Sequence, residues 1–239
     1  MKTFSVNRNK QIDFSKKKYF KLLNDYFIKQ KPLDLIIKKT KFYSLDLDIY
    51  RGILVPRNET ELLVKHSIKL IKKYKIKQIY DLCCGSGNIG LAIKKHASGT
   101  NVTCVDMNHS AIENTRHNAS KNDVKIKTII GDFYNSIKSK ISCIVCNPPY
   151  VNNKKLDKRM LKYEDKISFT NSMDELYFYK KIINNYGKIM KNNFLIIFEI
   201  GYDQKKALTK ILGKNNLLKY SSFDKDLSGL DRILTIDKY

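Results

Sequence analysis

Ile79-Tyr-Asp-Leu-Cys-Cys-Gly-Ser-Gly-Asn-Ile-Gly90 begins as a short apolar run, passes through a glycine-rich turn and leads into the helical pattern of Ile89–His96. Strand, glycine turn and helix in that order are the context that gives the spacing Gly85-x-Gly87-x-x-Gly90 meaning. Without side chains at Gly85 and Gly87 the backbone can turn tightly and approach a ligand closely. The next apolar run, Val102–Val105, ends in Asp106, about 20 residues past the first glycine, where a carboxylate can accept hydrogen bonds from both hydroxyls of a ribose. A turn that only packs helix against strand is the competing reading, and the acid after the second strand weighs against it. The set implies a cofactor that carries a nucleoside; NAD and S-adenosylmethionine both satisfy it.

Outward from this unit, strands and helices alternate. Ile79–Cys83, Val102–Val105, Ile126–Ile130, Ile141–Cys146 and Phe194–Ile200 are short apolar runs, separated by helical stretches at Ile89–His96, Ser110–Lys121, Asp174–Met190 and Gln204–Leu212. That alternation predicts an α/β fold of βαβ units around a parallel sheet. Leu217–Phe223 and Arg232–Ile236 follow with no long helix between them, so the sheet is expected to end in an antiparallel pair. On the other side, residues 13–30 show apolar spacings of three and four that predict a helix with one buried face, ended at Pro32. Phe42–Ile49 alternates, Arg51-Gly52 supplies a turn signal and Ile53–Val55 follows, which predicts a β-hairpin ending at Pro56. A helix is predicted over Glu59–Tyr74 with Asn58 as its cap. The expected division is a short helical segment (1–40), a hairpin linker (41–56) and a catalytic domain (57–239).

Composition bounds the class. The 239 residues carry 46 Lys+Arg against 23 Asp+Glu, a net charge of +23, with 42% hydrophobic content, which is too high for a disordered chain. Only Arg8, Arg51, Arg57, Arg116, Arg159 and Arg232 are arginines. Lysine therefore supplies most of the charge alongside abundant Asn, Ile and Tyr, all with AT-rich codons. This favours base-composition drift over a built nucleic-acid surface, with nucleic acid attracted only non-specifically. No apolar run approaches the length of a membrane span, nothing marks export, and five cysteines on strand-like segments suit a reducing cytoplasm. Cys143 and Cys146 have no second pair to complete a zinc site, so no metal is expected.

The fourth strand narrows the chemistry. It ends in Asn147-Pro-Pro-Tyr150, at the carboxyl edge of the sheet where ligands of open α/β folds sit. A rigid turn would account for Pro148 and Pro149 but not for the flanking Asn147 and Tyr150. A polar acceptor, a proline-held backbone and an aromatic face suit a planar nitrogen, and point to its methylation.

Asn147-Pro-Pro-Tyr150 together with Asp81-Leu-Cys-Cys-Gly-Ser-Gly87 resembles the S-adenosylmethionine-dependent N-methyltransferases that act on amide or exocyclic amino nitrogens. Ile53-Leu-Val-Pro-Arg-Asn-Glu-Thr-Glu61 is similar to the segment marking the protein glutamine N5-methyltransferases, the PrmC/HemK release-factor family. The resemblance continues through Gly131-Asp-Phe-Tyr134 and Asp226-Leu-Ser-Gly-Leu-Asp-Arg232 and so runs from about Phe42 to the end. Asn58 stands where that family commonly has a second proline, and residues 1–40 stand where it usually has a longer helical domain.

The resemblance implies a Rossmann-like methyltransferase sheet with S-adenosylmethionine as cofactor and peptide chain release factors as partners. It places Asp81, Leu82, Cys83, Cys84, Gly85, Gly87, Asp106 and Asn147 at the cofactor. Asp132 and Phe133 would hold the adenine. Asn147 and the Pro148 carbonyl would bind the glutamine amide, Pro149 would stiffen that backbone and Tyr150 would pack against the amide plane. Pro56, Arg57, Glu59, Thr60 and Glu61 would support the substrate pocket. An adenine-N6 methyltransferase acting on DNA or RNA, and a non-catalytic RNA-binding protein on the same fold, are the alternatives. Arg57, Glu59 and Glu61 argue against the first and the intact cofactor residues against the second.

Overall fold

The computed structural model describes residues 16–30, 33–132, 137, 139–150 and 174–239. Two short helices, α1 (Lys16–Leu23), extended by a π-helical turn over Asn24–Ile28, and α2 (Leu33–Ile37), precede a hairpin of β1 (Lys39–Phe42) and β2 (Leu45–Asp48). Then follow α3 (Thr60–Lys73), β3 (Gln78–Leu82), α4 (Asn88–His96), β4 (Asn101–Asp106), α5 (His109–Lys121), β5 (Lys127–Ile130) and β6 (Ile141–Cys146). The chain closes with α6 (Tyr177–Ile183), α7 (Tyr186–Ile189), β7 (Met190–Glu199), α8 (Lys205–Lys214), β8 (Ser221–Lys225) and β9 (Asp231–Asp237). Among the described residues, no helix is long and apolar enough to cross a membrane.

The seven-stranded sheet has the order β5-β4-β3-β6-β7-β9-β8. β5 through β7 are parallel, and β9 pairs antiparallel with both β7 and β8, the expected ending. Order reverses between β3 and β6, so the loops after these two neighbouring strands open into one crevice. β6 and β7 are apolar on both faces because helices cover both. Cys143, Val145, Leu195 and Ile197 pack with α3, α4 and the hairpin, while Ile144, Cys146, Ile196 and Phe198 pack with α6, α7 and α8.

Several boundaries differ from the pattern. The hairpin turns at Tyr43-Ser44, both in the left-handed region (φ 43° and 66°), which gives the two-residue turn that matches strand twist. Its unfavourable backbone is held from outside: Glu61 Oε1 accepts the Tyr43 N–H (2.9 Å), and the Tyr43 ring meets His96 edge-on. Arg51-Gly52 is a turn as well, closed by Ile53 N–H to the Tyr50 carbonyl (3.1 Å) with Gly52 at φ 84°, but Ile53–Val55 continues without a strand partner. The Asp174–Met190 helix is two helices broken at Asn184-Asn185. Leu218–Tyr220 is a 3-10 turn before β8. Asn58 makes no side-chain cap; α3 begins on the carbonyls of Arg57, Asn58 and Glu59. Among the described side chains of residues 20–30 none is buried, and Phe20, Phe27 and Ile28 are exposed where a buried face was expected.

An asparagine ladder absent from the sequence reading fastens the hairpin to the sheet domain. Asn114 and Asn118 of α5 and Asn122 just beyond it lie four residues apart and face alternate residues of the β2 edge. Asn122 exchanges hydrogen bonds with the Asp46 backbone (3.0 and 3.0 Å), and Asn118 with Asp48 (2.9 and 3.0 Å). Asn114 accepts from the Tyr50 N–H (3.1 Å) and donates to the Asp48 carbonyl (2.9 Å). Four helical residues advance about 6 Å and two strand residues about 6.6 Å, so the two lattices stay in step. Asn118 Nδ2 also donates to Ser86 O (3.0 Å) and so reaches the glycine turn. Asn118→Ala, at a fully buried position, is therefore expected to cost roughly 2–3 kcal/mol in urea unfolding, whereas Asn122→Ala, only half-buried, is expected to cost under about 1 kcal/mol.

Candidate active site

β3 delivers the glycine turn and β4 delivers its acid. Gly87, at φ 80°, would place a Cβ 2.8 Å from Thr115 Cγ2, and a Cβ at Gly90 would stand 2.5 Å from Cys104 Sγ. Both positions exclude a side chain by contact, and Gly87 by conformation as well. Thr115 Oγ1 donates to Gly85 O (3.1 Å) and holds the turn from α5. Asp106 Oδ2 accepts the Gly85 N–H (3.0 Å) and Oδ1 the Asn108 N–H (2.9 Å), tying the ends of β3 and β4 together. Each carboxylate oxygen can take a further donor, so the capacity for ribose hydroxyls remains. Burial raises the Asp106 pKa, partly offset by these backbone donors.

Asp81 is fully buried near the end of β3. Its Oδ2 accepts the Gly90 N–H (2.8 Å), while Oδ1 has no partner among the described residues. Burial pushes its pKa to about 7. An unsatisfied buried carboxylate beside a glycine turn fits a cofactor that brings its own cationic amine. The folded state holds this proton where the unfolded chain, titrating near 4, has lost it. Ligand-free stability therefore falls as pH rises from about 4 to about 7. Asp81→Asn is expected to remove that slope and to stabilise the ligand-free protein by roughly 2–4 kcal/mol at about pH 8, as melting curves across pH will show.

Other cofactor residues are placed with less freedom than the sequence suggests. Leu82 is buried in the core; Cys84 donates its N–H to Val105 O (3.2 Å) and accepts from Gly87 N–H (2.8 Å). Cys83 takes a left-handed backbone (φ 57°), a conformation uncommon for a residue with a side chain. Asp132 is ion-paired with Lys181 of α6, and Phe133 lies outside the described residues. Sequence reasoning missed Met107 and Ile130. Both are exposed apolar side chains at strand ends, and Ile130 lies in register with Asp106. An apolar residue directly after Asp106, at the end of a strand, was the available signal.

Asn147 follows Cys146, the register partner of Leu82, so it emerges beside the glycine turn. Its Nδ2 donates to Thr60 Oγ1 (3.4 Å), which brings the Pro56–Glu61 segment to the end of β6. Pro148 is buried and Pro149 half-buried. Tyr150 is clamped at both ends, its hydroxyl donating to Glu199 Oε1 (3.0 Å) and its carbonyl accepting from Gln204 Nε2 (3.2 Å). Burial and the neighbouring Glu199 push the Tyr150 phenol pKa well up.

Glu199, at the end of β7, is the residue of this candidate site least visible in the sequence. Burial raises its pKa, and hydrogen bonding from Thr60 and Tyr150 with the charges of Arg232 and Arg57 pulls it back. Arg232 is aimed here by the turn before β9, where Asp226 accepts the Ser228 and Leu230 N–H groups and receives Arg232 Nε and Nη2 (3.2 and 3.2 Å).

The Pro56–Glu61 segment divides in two. Thr60 and Arg57 converge on Asn147, Tyr150 and Glu199, whereas Glu61 serves the hairpin turn, Glu59 is exposed and Pro56 is half-buried ahead of the helix. The histidines are engaged elsewhere. His66 bonds Thr235, His96 bonds Ser44, His117 bonds Asp48 and His109 pairs with Glu113; His66 is partly buried. Among the described residues no cluster of three His, Cys, Asp or Glu side chains is placed to hold a metal ion.

Residues 58–171 match the family described as the methyltransferase small domain. The release factor glutamine methyltransferase of Thermodesulfovibrio yellowstonii is 35% identical over 243 residues, covering 96% of this chain and 85% of that protein. That of Clostridium botulinum is 34% identical over 232 residues, covering 94% and 81%. Among solved structures, the T. thermophilus 16S rRNA N2 G1207 methyltransferase, in complex with AdoMet and guanosine, superposes with a TM-score of 0.61 at 13% identity. It covers 84% of this chain and 50% of its own, a likeness of fold. A methyltransferase fold, a glycine turn braced by an acid and Asn147 at the adjoining strand end agree with the sequence relationship: the chain belongs to the release factor glutamine methyltransferase family.

Proposed function

We propose that the protein transfers a methyl group from S-adenosylmethionine to the side-chain nitrogen of the glutamine in the Gly-Gly-Gln loop of peptide chain release factors. The observation that carries this reading is the contact of Asn147 with Thr60. It joins the tetrapeptide suited to a planar nitrogen to the segment that distinguishes protein glutamine methyltransferases.

Gly85, Gly87, Asp81 and Asp106 would hold the cofactor, with Asp106 on the ribose, Asp81 on the methionine amine and the strand ends at Met107, Ile130 and Asp132 around the base. S-adenosylmethionine supplies an electrophilic methyl group. A neutral amide nitrogen is a poor nucleophile because its lone pair is delocalised into the carbonyl, so the residues around it act by orientation. Asn147 accepts one amide N–H and the Pro148 carbonyl the other, which directs the nitrogen out of the carboxamide plane toward transfer. The nitrogen becomes acidic once alkylated and releases its proton without a side chain of shifted pKa. The monomethyl product keeps one N–H and cannot satisfy both acceptors, which favours a single transfer.

Incubation of the protein with labelled S-adenosylmethionine and a release factor, followed by mass spectrometry of the digest, tests this. One methyl on the Gly-Gly-Gln glutamine is expected, and none when that glutamine is replaced. Label on adenine of duplex DNA or ribosomal RNA, with none on glutamine, overturns the reading in favour of a nucleic-acid substrate.

A further inference from the structure

Tyr150 closes the Asn147-Pro-Pro-Tyr150 tetrapeptide, and two residues at and just beyond the end of β7 reach it. Its ring end is held by Glu199, whose Oε1 accepts the hydroxyl (3.0 Å). Its backbone end is held by Gln204, the residue before α8, whose Nε2 donates to the Tyr150 carbonyl (3.2 Å). Gln204 is buried, at 5% exposure, and the other end of its carboxamide is engaged as well. Oε1 accepts the Gly201 N–H (2.9 Å), while the Gln204 N–H donates to the Gly201 carbonyl (3.0 Å). The flip of this carboxamide is thus fixed by its partners, because a backbone N–H can only donate and a carbonyl can only accept. Gly201 keeps the room for it: a Cβ there would stand 3.1 Å from Gln204 Cδ.

We infer that Gln204 is a positioning residue that fastens the Tyr150 end of the tetrapeptide and so fixes the direction of the Pro148 carbonyl toward the substrate nitrogen. At the other end, Asn147 follows Cys146, whose place is set by pairing with both β3 and β7. Between these points the rings of Pro148 and Pro149 each lock one φ, which leaves few free backbone torsions. Holding Tyr150 by its carbonyl as well as its hydroxyl takes up that remaining freedom. The hydroxyl alone does not, since the ring can stay on Glu199 while the backbone rocks about the side-chain torsions. Glutamine is the residue type this task demands, a donor for one backbone group and an acceptor for the other. A carboxylate in its place would serve the Gly201 N–H but repel the Tyr150 carbonyl, and an apolar chain would leave both without a partner. This inference rests on the reading of the Pro148 carbonyl as an acceptor of the substrate amide.

The test compares Gln204→Met, which keeps the length and removes both hydrogen bonds, with Gln204→Glu, which keeps the acceptor and makes the donor depend on pH. Single-turnover transfer at saturating S-adenosylmethionine separates rate constant from amplitude, and a loss of folded protein lowers only the amplitude. Gln204→Met is expected to lower the rate constant for release-factor methylation by roughly tenfold to a hundredfold, with S-adenosylmethionine affinity within about twofold of the parent. Gln204→Glu is expected to show the same loss at alkaline pH. Its rate relative to the parent is expected to rise on acidification, as the introduced carboxyl, its pKa raised by burial, takes up a proton and regains a donor. A second readout is independent of turnover. Tyr150-Val151 is the only Tyr-Val pair in the sequence, so tyrosine labelled at its carbonyl carbon together with valine labelled at nitrogen reports the Tyr150 carbonyl alone. That resonance is expected to move in Gln204→Met and to titrate with the rate in Gln204→Glu. A parent-like rate constant in Gln204→Met, a pH profile of Gln204→Glu parallel to the parent's, or a Tyr150 carbonyl resonance indifferent to residue 204 overturns the inference. A parent protein that fails to methylate glutamine while that resonance follows residue 204 overturns the functional reading instead.

Discussion

Asn147→Ala is expected to lower methyl transfer to the release-factor glutamine on the order of a hundredfold or more while leaving S-adenosylmethionine affinity within a few-fold. The reason is the separation of tasks between adjacent strand ends. The glycine turn and Asp106 follow β3 and β4, whereas Asn147 follows β6 and bonds Thr60, on the side of α3. Asn147 is only half-buried, so alanine leaves no cavity in the core. Single-turnover rates beside calorimetric cofactor titration measure both halves of the claim. A variant that turns over near the parent rate removes Asn147 from the mechanism, and one that loses cofactor affinity in equal measure places it at the cofactor instead.

Asp106→Ala is expected to weaken S-adenosylmethionine binding on the order of a hundredfold, because hydrogen bonds to a charged group contribute about 1.5–3 kcal/mol each and two ribose hydroxyls lose theirs. A second effect adds to the first. Gly85 and Asn108 lose the acceptor that now holds both N–H groups, so the turn loosens around the remaining contacts. Burial raises the Asp106 pKa, so protonation on acidification is expected to weaken the cofactor in the parent protein, and this dependence disappears in the variant. Titration calorimetry at several pH values checks both statements; equal affinity for parent and Asp106→Ala sinks the assignment, and NAD is expected not to compete.

The two predictions differ in how far sequence alone supports them. Asp106 is legible because its placement depends on local order: a strand, a glycine turn, a helix, a second strand and an acid at its end, each specified by neighbours in the chain. The parallel sheet and its antiparallel close are legible for the same reason, since a run such as Phe194–Phe198, buried throughout, belongs in a sheet covered on both faces. The hairpin exists as expected but turns at Tyr43-Ser44, because Glu61, far along the chain, captures the Tyr43 amide and stabilises a backbone those residues do not prefer.

What the sequence determined by itself was therefore the alternation of elements, the glycine turn with its acid and the placing of Asn147-Pro-Pro-Tyr150 at a strand end, all consequences of short-range periodicity and backbone preference. The tertiary structure alone decided the asparagine ladder that holds the hairpin and the division of the Pro56–Glu61 segment between fold and site. It also decided the meeting of Thr60, Tyr150 and Arg232 around the buried carboxylate of Glu199. Thr60 and Glu199 are far apart in the chain, and no periodicity links a helix start to the end of a distant strand. They come near one another because β7 lies beside β6 in the sheet while α3 packs across it, and hydrophobic packing sets that arrangement before any polar group can find its partner.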